Sequence, residues 1–215
     1  MPDFTAAPGN VIHPTDGILV ETNGVYVRRL ISEFIQTDSL LGVGGAIVGG
    51  AQSAVFNTTT LTDASANHPI PGGILSVNSL LRVHARLKFS NVTAAPSLLV
   101  GVYHGGVAGT KLAATAATAT TLTAANWPVT VEAYILVNSI GASGSMTCWG
   151  HVDLGTSLTA VTRIPFDASA IAAVGSLDTT TTKNITIGVQ WSGGSAPSAS
   201  DTITCVGSLV QAVNF

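Results

Sequence analysis

The sequence predicts an all-β fold, an antiparallel two-sheet sandwich of jelly-roll-like type carrying an extended N-terminal arm. Three observations predict it. Apolar and polar residues alternate with period two in four long segments, the arrangement that puts one face of a strand inward and the other outward. Turn-forming clusters rich in Gly, Ser and Asn separate these segments at short intervals, as in HGGVAGT (104–110), GASG (141–144) and GGSAPSAS (193–200). No convincing run carries the helical period of 3.6, with one ambiguous stretch near the N-terminus.

The alternation is clearest in LLRVHARLKF (80–89), where Leu81, Val83, Ala85, Leu87 and Phe89 share one face and Arg82, His84, Arg86 and Lys88 the other. In VTVEAYILV (129–137), Val129, Val131, Ala133, Ile135 and Val137 alternate with Thr130, Glu132, Tyr134 and Leu136. SMTCWGHVDL (145–154) turns Met146, Cys148 and Val152 inward, and NITIGVQW (184–191) does the same with Ile185, Ile187, Val189 and Trp191. Weaker strands are expected at 53–61, 97–104, 159–166 and 202–213, giving roughly eight in all, the number of a jelly roll.

Residues 1–50 differ in kind and are read as an arm and hairpin with a Gly-rich joint, set before a sandwich domain at 51–215. MPDFTAAPGNVIHPTDG has three prolines and no periodicity. GILV (17–20) and VYVRRLI (25–31) flank ETNG, whose Asn23-Gly24 favours a tight hairpin turn. Between 26 and 36 the residues Leu30, Ile31, Phe34 and Ile35 also fit a helical face, so helix and strand both stand open there. GVGGAIVGG (42–50) reads as a flexible joint. Because Phe4, Val11, Ile12, Ile18 and Leu19 sit among prolines and glycines where a solvated tail would be polar, the arm is expected to order against a neighbouring subunit or the capsid.

Composition narrows the function classes. Of 215 residues 46% are hydrophobic and only 9% charged, against about 25% charged in an average soluble domain, and the mean hydropathy is +0.47. A surface made mainly of Thr, Ser, Ala, Gly and Asn suits burial against neighbours in an assembly. The net charge of −3 and the lack of any Lys or Arg in residues 1–27 argue against nucleic acid and anionic membrane as partners, and against the basic start of a signal peptide. The longest apolar run, LLGVGGAIVGGA (40–51), is too short and Gly-rich to span a bilayer, so a soluble protein is expected. Cys148 and Cys205 lack CxxC spacing and fall on apolar strand faces, which fits two buried thiols or one disulfide.

The features that resemble chemistry are weak. His151-x-Asp153 puts two metal-capable groups on one strand face, but a two-His, one-carboxylate iron site needs a later His, and none follows 151. No metal or other cofactor is expected. The glycines of 42–50 match neither a phosphate loop nor GxGxxG, no GxSxG elbow occurs, and the 11 acidic residues are scattered singly, so catalysis is not expected. Arg82, His84, Arg86 and Lys88 form a basic stripe suited to an acidic patch on a partner subunit, a phosphate or an anionic glycan, or to a plain solvated face. Asn57, Asn91 and Asn184 open N-x-Thr triplets that read as strand and turn residues. Trp127, Trp149 and Trp191 are either packing residues or a sugar-stacking platform.

From about residue 53 onward the order of segments resembles the structural virion proteins of tailed bacteriophages. The carrying residues are VFNTTTLTD, PGGILSVNSLLRVHARLKFSN, PSLLVGVYHGG, WPVTVEAYILVNSIGASGSMTCWGHVDLG and NITIGVQWSGGSAPSASDTITC. They form a pattern of strands and turns with no catalytic signature, and residues 1–50 lie outside it. The resemblance implies a capsid decoration or cement protein, assembled in the host cytoplasm and carried in the virion. Its expected partners are the major capsid protein or other virion subunits, within a homotrimer. Arg82, Arg86 and Lys88 join the five apolar arm residues as the expected partner contacts. The alternative is an appendage module, such as a spike or fibre head, that binds host surface glycan.

Overall fold

A computed structural model of the chain describes residues 17–22, 25–30, 52–55, 62–63, 68–91, 96–121, 123–166, 172–194 and 201–214. All the described secondary structure is β. Near the N-terminus, β1 (Gly17–Thr22) and β2 (Val25–Leu30) form an antiparallel hairpin closed across Thr22 and Val25, where Asn23-Gly24 was expected to turn the chain. Residues 26–30 are therefore strand, and 31–36 of the ambiguous stretch fall outside the described residues, as does the Gly-rich joint.

Four of the long strands are those the alternation marks, β6 (Leu80–Ser90), β10 (Trp127–Ser139), β11 (Gly144–Gly155) and β14 (Lys183–Gly194), and two more, β7 (Pro96–His104) and β15 (Thr202–Asn214), fall on the weaker strands expected at 97–104 and 202–213. Short strands complete the edges. They are β3 (Gln52–Val55), β4 (Thr62–Asp63), β5 (His68–Ile70), β8 (Thr110–Ala114), β9 (Thr118–Ala119), β12 (Val161–Pro165) and β13 (Ala173–Leu177). The expected eight strands thus become fifteen described ones, because the additional pieces are mostly two to six residues long, too short to show a period.

Two antiparallel sheets face each other. One has the order β12-β11-β10-β6-β15-β3 with β13 also on β11, and the other has β4-β14-β7-β8 with β5 on β14 and β9 on β7. β6 pairs with β15 in the first sheet, and β7 pairs with β14 in the second. One early–late pair is nested inside the other, which gives the sandwich its jelly-roll-like character.

The core lies between the sheets. All five inward residues expected on β6 and all five on β10 are buried to 3% exposure or less, as are Ile185, Ile187, Val189 and Trp191 of β14. Phe89 and Trp191 meet across the sandwich edge to face, with centroids 6.5 Å apart at 69°, and Trp127, the register partner of Phe89 on β10, packs on it at 6.2 Å and 80°. Cys148 and Cys205 are buried on the inner face as thiols not joined in a disulfide, opposite Ile135 and Leu87 respectively.

Buried polar groups tie the layers together. His68 Nε2 meets Ser208 Oγ at 2.8 Å, joining β5 of one sheet to β15 of the other. Asn91, fully buried, donates to Thr120 Oγ1 (2.8 Å) and accepts from the Ala124 amide (2.8 Å), while Thr120 Oγ1 donates to the Pro96 carbonyl (2.6 Å). That chain fastens the end of β6 and the start of β7 to the segment leading into β10, so Asn91 is a structural peg. At the far end Thr179 brackets the β10–β11 turn, its Oγ1 accepting from the Gly141 amide (2.8 Å). Gly141 has φ of 118°, a conformation that costs glycine little.

Candidate functional site

The strand alternation that builds the core also sets the outer face of the seven-stranded sheet, and antiparallel register arranges that face in rows. One row reads Trp149, Tyr134, Arg82, Gln211 across β11, β10, β6 and β15. The next reads His151, Glu132, His84, Leu209, and the third reads Arg163, Asp153, Thr130, Arg86, Gly207, beginning on β12. Cross-strand neighbours on one face stand about 4.5–5.5 Å apart, so each row is a line of contacts.

Glu132 sits at the centre. Arg82 Nη2 donates to its Oε1 at 2.7 Å, and the Tyr134 hydroxyl donates to the same oxygen at 3.1 Å. Burial alone would raise this carboxyl's pKa, but those hydrogen bonds and the charge of Arg82 outweigh it and hold Glu132 below the usual range. Asp153 is gripped by Arg163 through two hydrogen bonds of 2.8 and 3.0 Å, which lower its pKa against the effect of burial. Tyr134 and Trp149 stack with centroids 6.0 Å apart at 21°.

Beside these rows β15 bulges between Cys205 and Gly207, and Val206 is pushed out of the ladder to 51% exposure. The bulge opens a groove of about 230 Å³ lined by His84, Arg86, Val206, Gly207, Ser208 and Leu209. The His84 imidazole is held toward its neutral form by burial first and by the nearby Arg82 and Arg86 charges, against the pull of Glu132. Its Nδ1 and the Arg82 Nε are shielded from solvent without a hydrogen-bond partner among the described residues.

Of the expected contact residues, Arg82, Arg86 and Lys88 share this outer face, with Arg82 engaged by Glu132 and the other two exposed. Ile18 and Leu19 lie on β1 opposite Arg29 and Arg28 in register, whereas Phe4, Val11 and Ile12 lie outside the described residues. His151 and Asp153 do share a face, with Nε2 and Oδ2 3.7 Å apart. Arg163 occupies both Asp153 oxygens, and among the described residues no group of three or more His, Cys, Asp or Glu is placed to hold a metal ion.

The three tryptophans form no common platform. Trp191 is in the core, Trp127 packs partly buried on Phe89, and only Trp149 reaches the outer face. The aromatic partner of Trp149 is Tyr134, which the alternation placed outward but which only the strand register could bring to Trp149. The groove depends on a bulge, for which the sequence offers just Gly207 as a hint.

No described helix is long and apolar enough to cross a membrane. Comparison with protein-family models, with curated proteins and with solved structures finds no match for this chain.

Proposed function

We propose that this chain is a non-catalytic structural subunit of a tailed-bacteriophage virion, a head decoration protein that works by packing against capsid and sister subunits. The observation that carries the reading is where apolar side chains stand in the open. Val77, Ile140 and Val213 are 49%, 51% and 53% exposed. All three belong to the end of the seven-stranded sheet where β6 begins and β10 and β15 finish. At the opposite end, around the β11–β12 hairpin, Leu158 and Val161 are 71% and 54% exposed. In a chain with 9% charged residues, such spots at both ends favour burial between neighbours over a freely diffusing monomer. The charge-poor surface fits close three-fold packing, and a homotrimer is the arrangement we propose. The resemblance of the strand and turn order to phage virion proteins adds support.

Quantitative mass spectrometry of purified particles tests the proposal. Hundreds of copies per particle are expected for a decoration protein. A few dozen would assign the chain to an appendage, and its absence from particles would overturn the reading.

A further inference from the structure

We propose that the outer face of the seven-stranded sheet binds an acidic glycan, with the Tyr134–Trp149 pair receiving one sugar ring and the groove beside Arg86 receiving a carboxylate farther along the chain. The proposal does not depend on where the subunit sits in a particle.

The aromatic end comes first. Tyr134 and Trp149 stack on each other within 21° of parallel on the outer face, and the apolar face of a sugar ring packs on the aromatic surface that the pair leaves open while its hydroxyls reach sideways. Sideways from the pair stand Arg82 and Glu132, already joined at 2.7 Å, with Gln211 next in the row. This set offers donors and acceptors beside the aromatic pair, which suits vicinal hydroxyls.

Charge selects the ligand. The two carboxylates of the face are taken, Glu132 by Arg82 and Asp153 by Arg163. Arg86 and Lys88 are exposed on the same strand and make no ion pair among the described residues. The face thus carries cationic groups without ion-pair partners among the described residues, and one of them, Arg86, lines a groove that Val206 and Leu209 line with apolar surface. A carboxylate held by guanidinium with a ring face on that surface satisfies both chemistries, and Arg is suited to such planar recognition. Arg86 is four residues beyond Arg82 on β6, about 14 Å at 3.4 Å per residue. That is the reach of a short oligosaccharide, longer than one ring.

Calorimetric titration of the full chain with tetragalacturonate tests this, using its methyl ester as the probe of equal shape without charge. Binding is expected to weaken about tenfold or more for the methyl ester and for Arg86→Ala, the scale of one charge-assisted contact. Trp149→Ala is expected to lose a similar factor and Trp149→Phe to recover most of it, with melting temperature followed throughout to separate binding from folding. Lys111→Ala, on β8 of the other sheet, leaves binding unchanged. No binding of tetragalacturonate, equal binding of its methyl ester, indifference to Trp149→Ala, or equal uptake of a single-stranded oligothymidylate would each overturn the proposal.

Discussion

Replacing Gly188 by Ala tests how the six-stranded sheet is built on its outer side. Gly188 on β14 faces Gly101 on β7 in register, and the Tyr103 ring lies over both. A Cβ at Gly188 would stand 2.7 Å from Tyr103 Cε2, 3.1 Å from its Cδ2 and 3.1 Å from Val107 Cγ1, where an unstrained carbon pair keeps about 3.5–4.0 Å. Tyr103 is only 6% exposed, so the ring has little room to retreat. Overpacking of this kind costs about 1–3 kcal/mol. The backbone at Gly188 lies outside the left-handed region, so the stiffer unfolded chain offsets about 0.4–1 kcal/mol. The net loss is about 0–2.6 kcal/mol, centred near about 1.3, which for a chain of this length lowers the melting temperature by about 3–5 °C at that centre. With Tyr103→Ala as background the closest clash is gone and the 3.1 Å approach to Val107 Cγ1 remains, so Gly188→Ala should cost less than with Tyr103 present, by about 1 kcal/mol or more. Denaturant unfolding of the four proteins in the cycle measures the coupling. Zero coupling, or stabilisation by Gly188→Ala with Tyr103 present, would refute the idea that the glycines exist to seat that ring.

Two further predictions concern buried polar groups. Asn91→Ala strands the Ala124 amide and removes a partner of Thr120, so denaturant unfolding should show a loss of about 1–3 kcal/mol; a loss under half a kilocalorie would mean that water replaces the amide. His68 is pushed below the ordinary histidine range by burial, and His84 and His104 shift the same way with burial as the leading cause. Their neutral forms stabilise the fold fully above the unfolded value of about 6.5, and that stability is lost as pH falls below it, because the unfolded chain takes up protons first. The lowered carboxylates Glu132, Asp153 and Asp178 lose their contribution only at more acid pH. Melting temperature should therefore fall between pH 6.5 and 5, and fall less in His68→Gln; an identical slope in that variant would count against His68.

Much of this architecture could be read from residue order. Period-two alternation located four of the long strands and assigned their inner faces correctly, since a one-residue error would have exposed Phe89 or Trp191. It also put Arg82, Glu132 and Tyr134 outside. It could not say which strands are neighbours, and the candidate site is a product of neighbours: Glu132 lies between His84 and His151 only because β10 lies between β6 and β11. Edge strands such as Thr118–Ala119 were invisible because two residues carry no period. The role of Gly101 and Gly188 was hidden for another reason, as a glycine within a strand looks like a weakness until the ring that lies over it is seen.

Under the proposed function, apolar spots at the ends of a charge-poor sandwich dock the subunit onto a particle. Rebinding of purified protein to particles stripped of it tests this most directly, comparing the native chain with Leu158→Asp and Ile140→Asp. Both sites are more than half exposed, so thermal unfolding should shift by no more than about 0.5 kcal/mol in stability. If either end is buried on docking, its variant should rebind about tenfold or more weakly, the scale of one lost aliphatic side chain. Full occupancy by both variants at native concentration would contradict the claim.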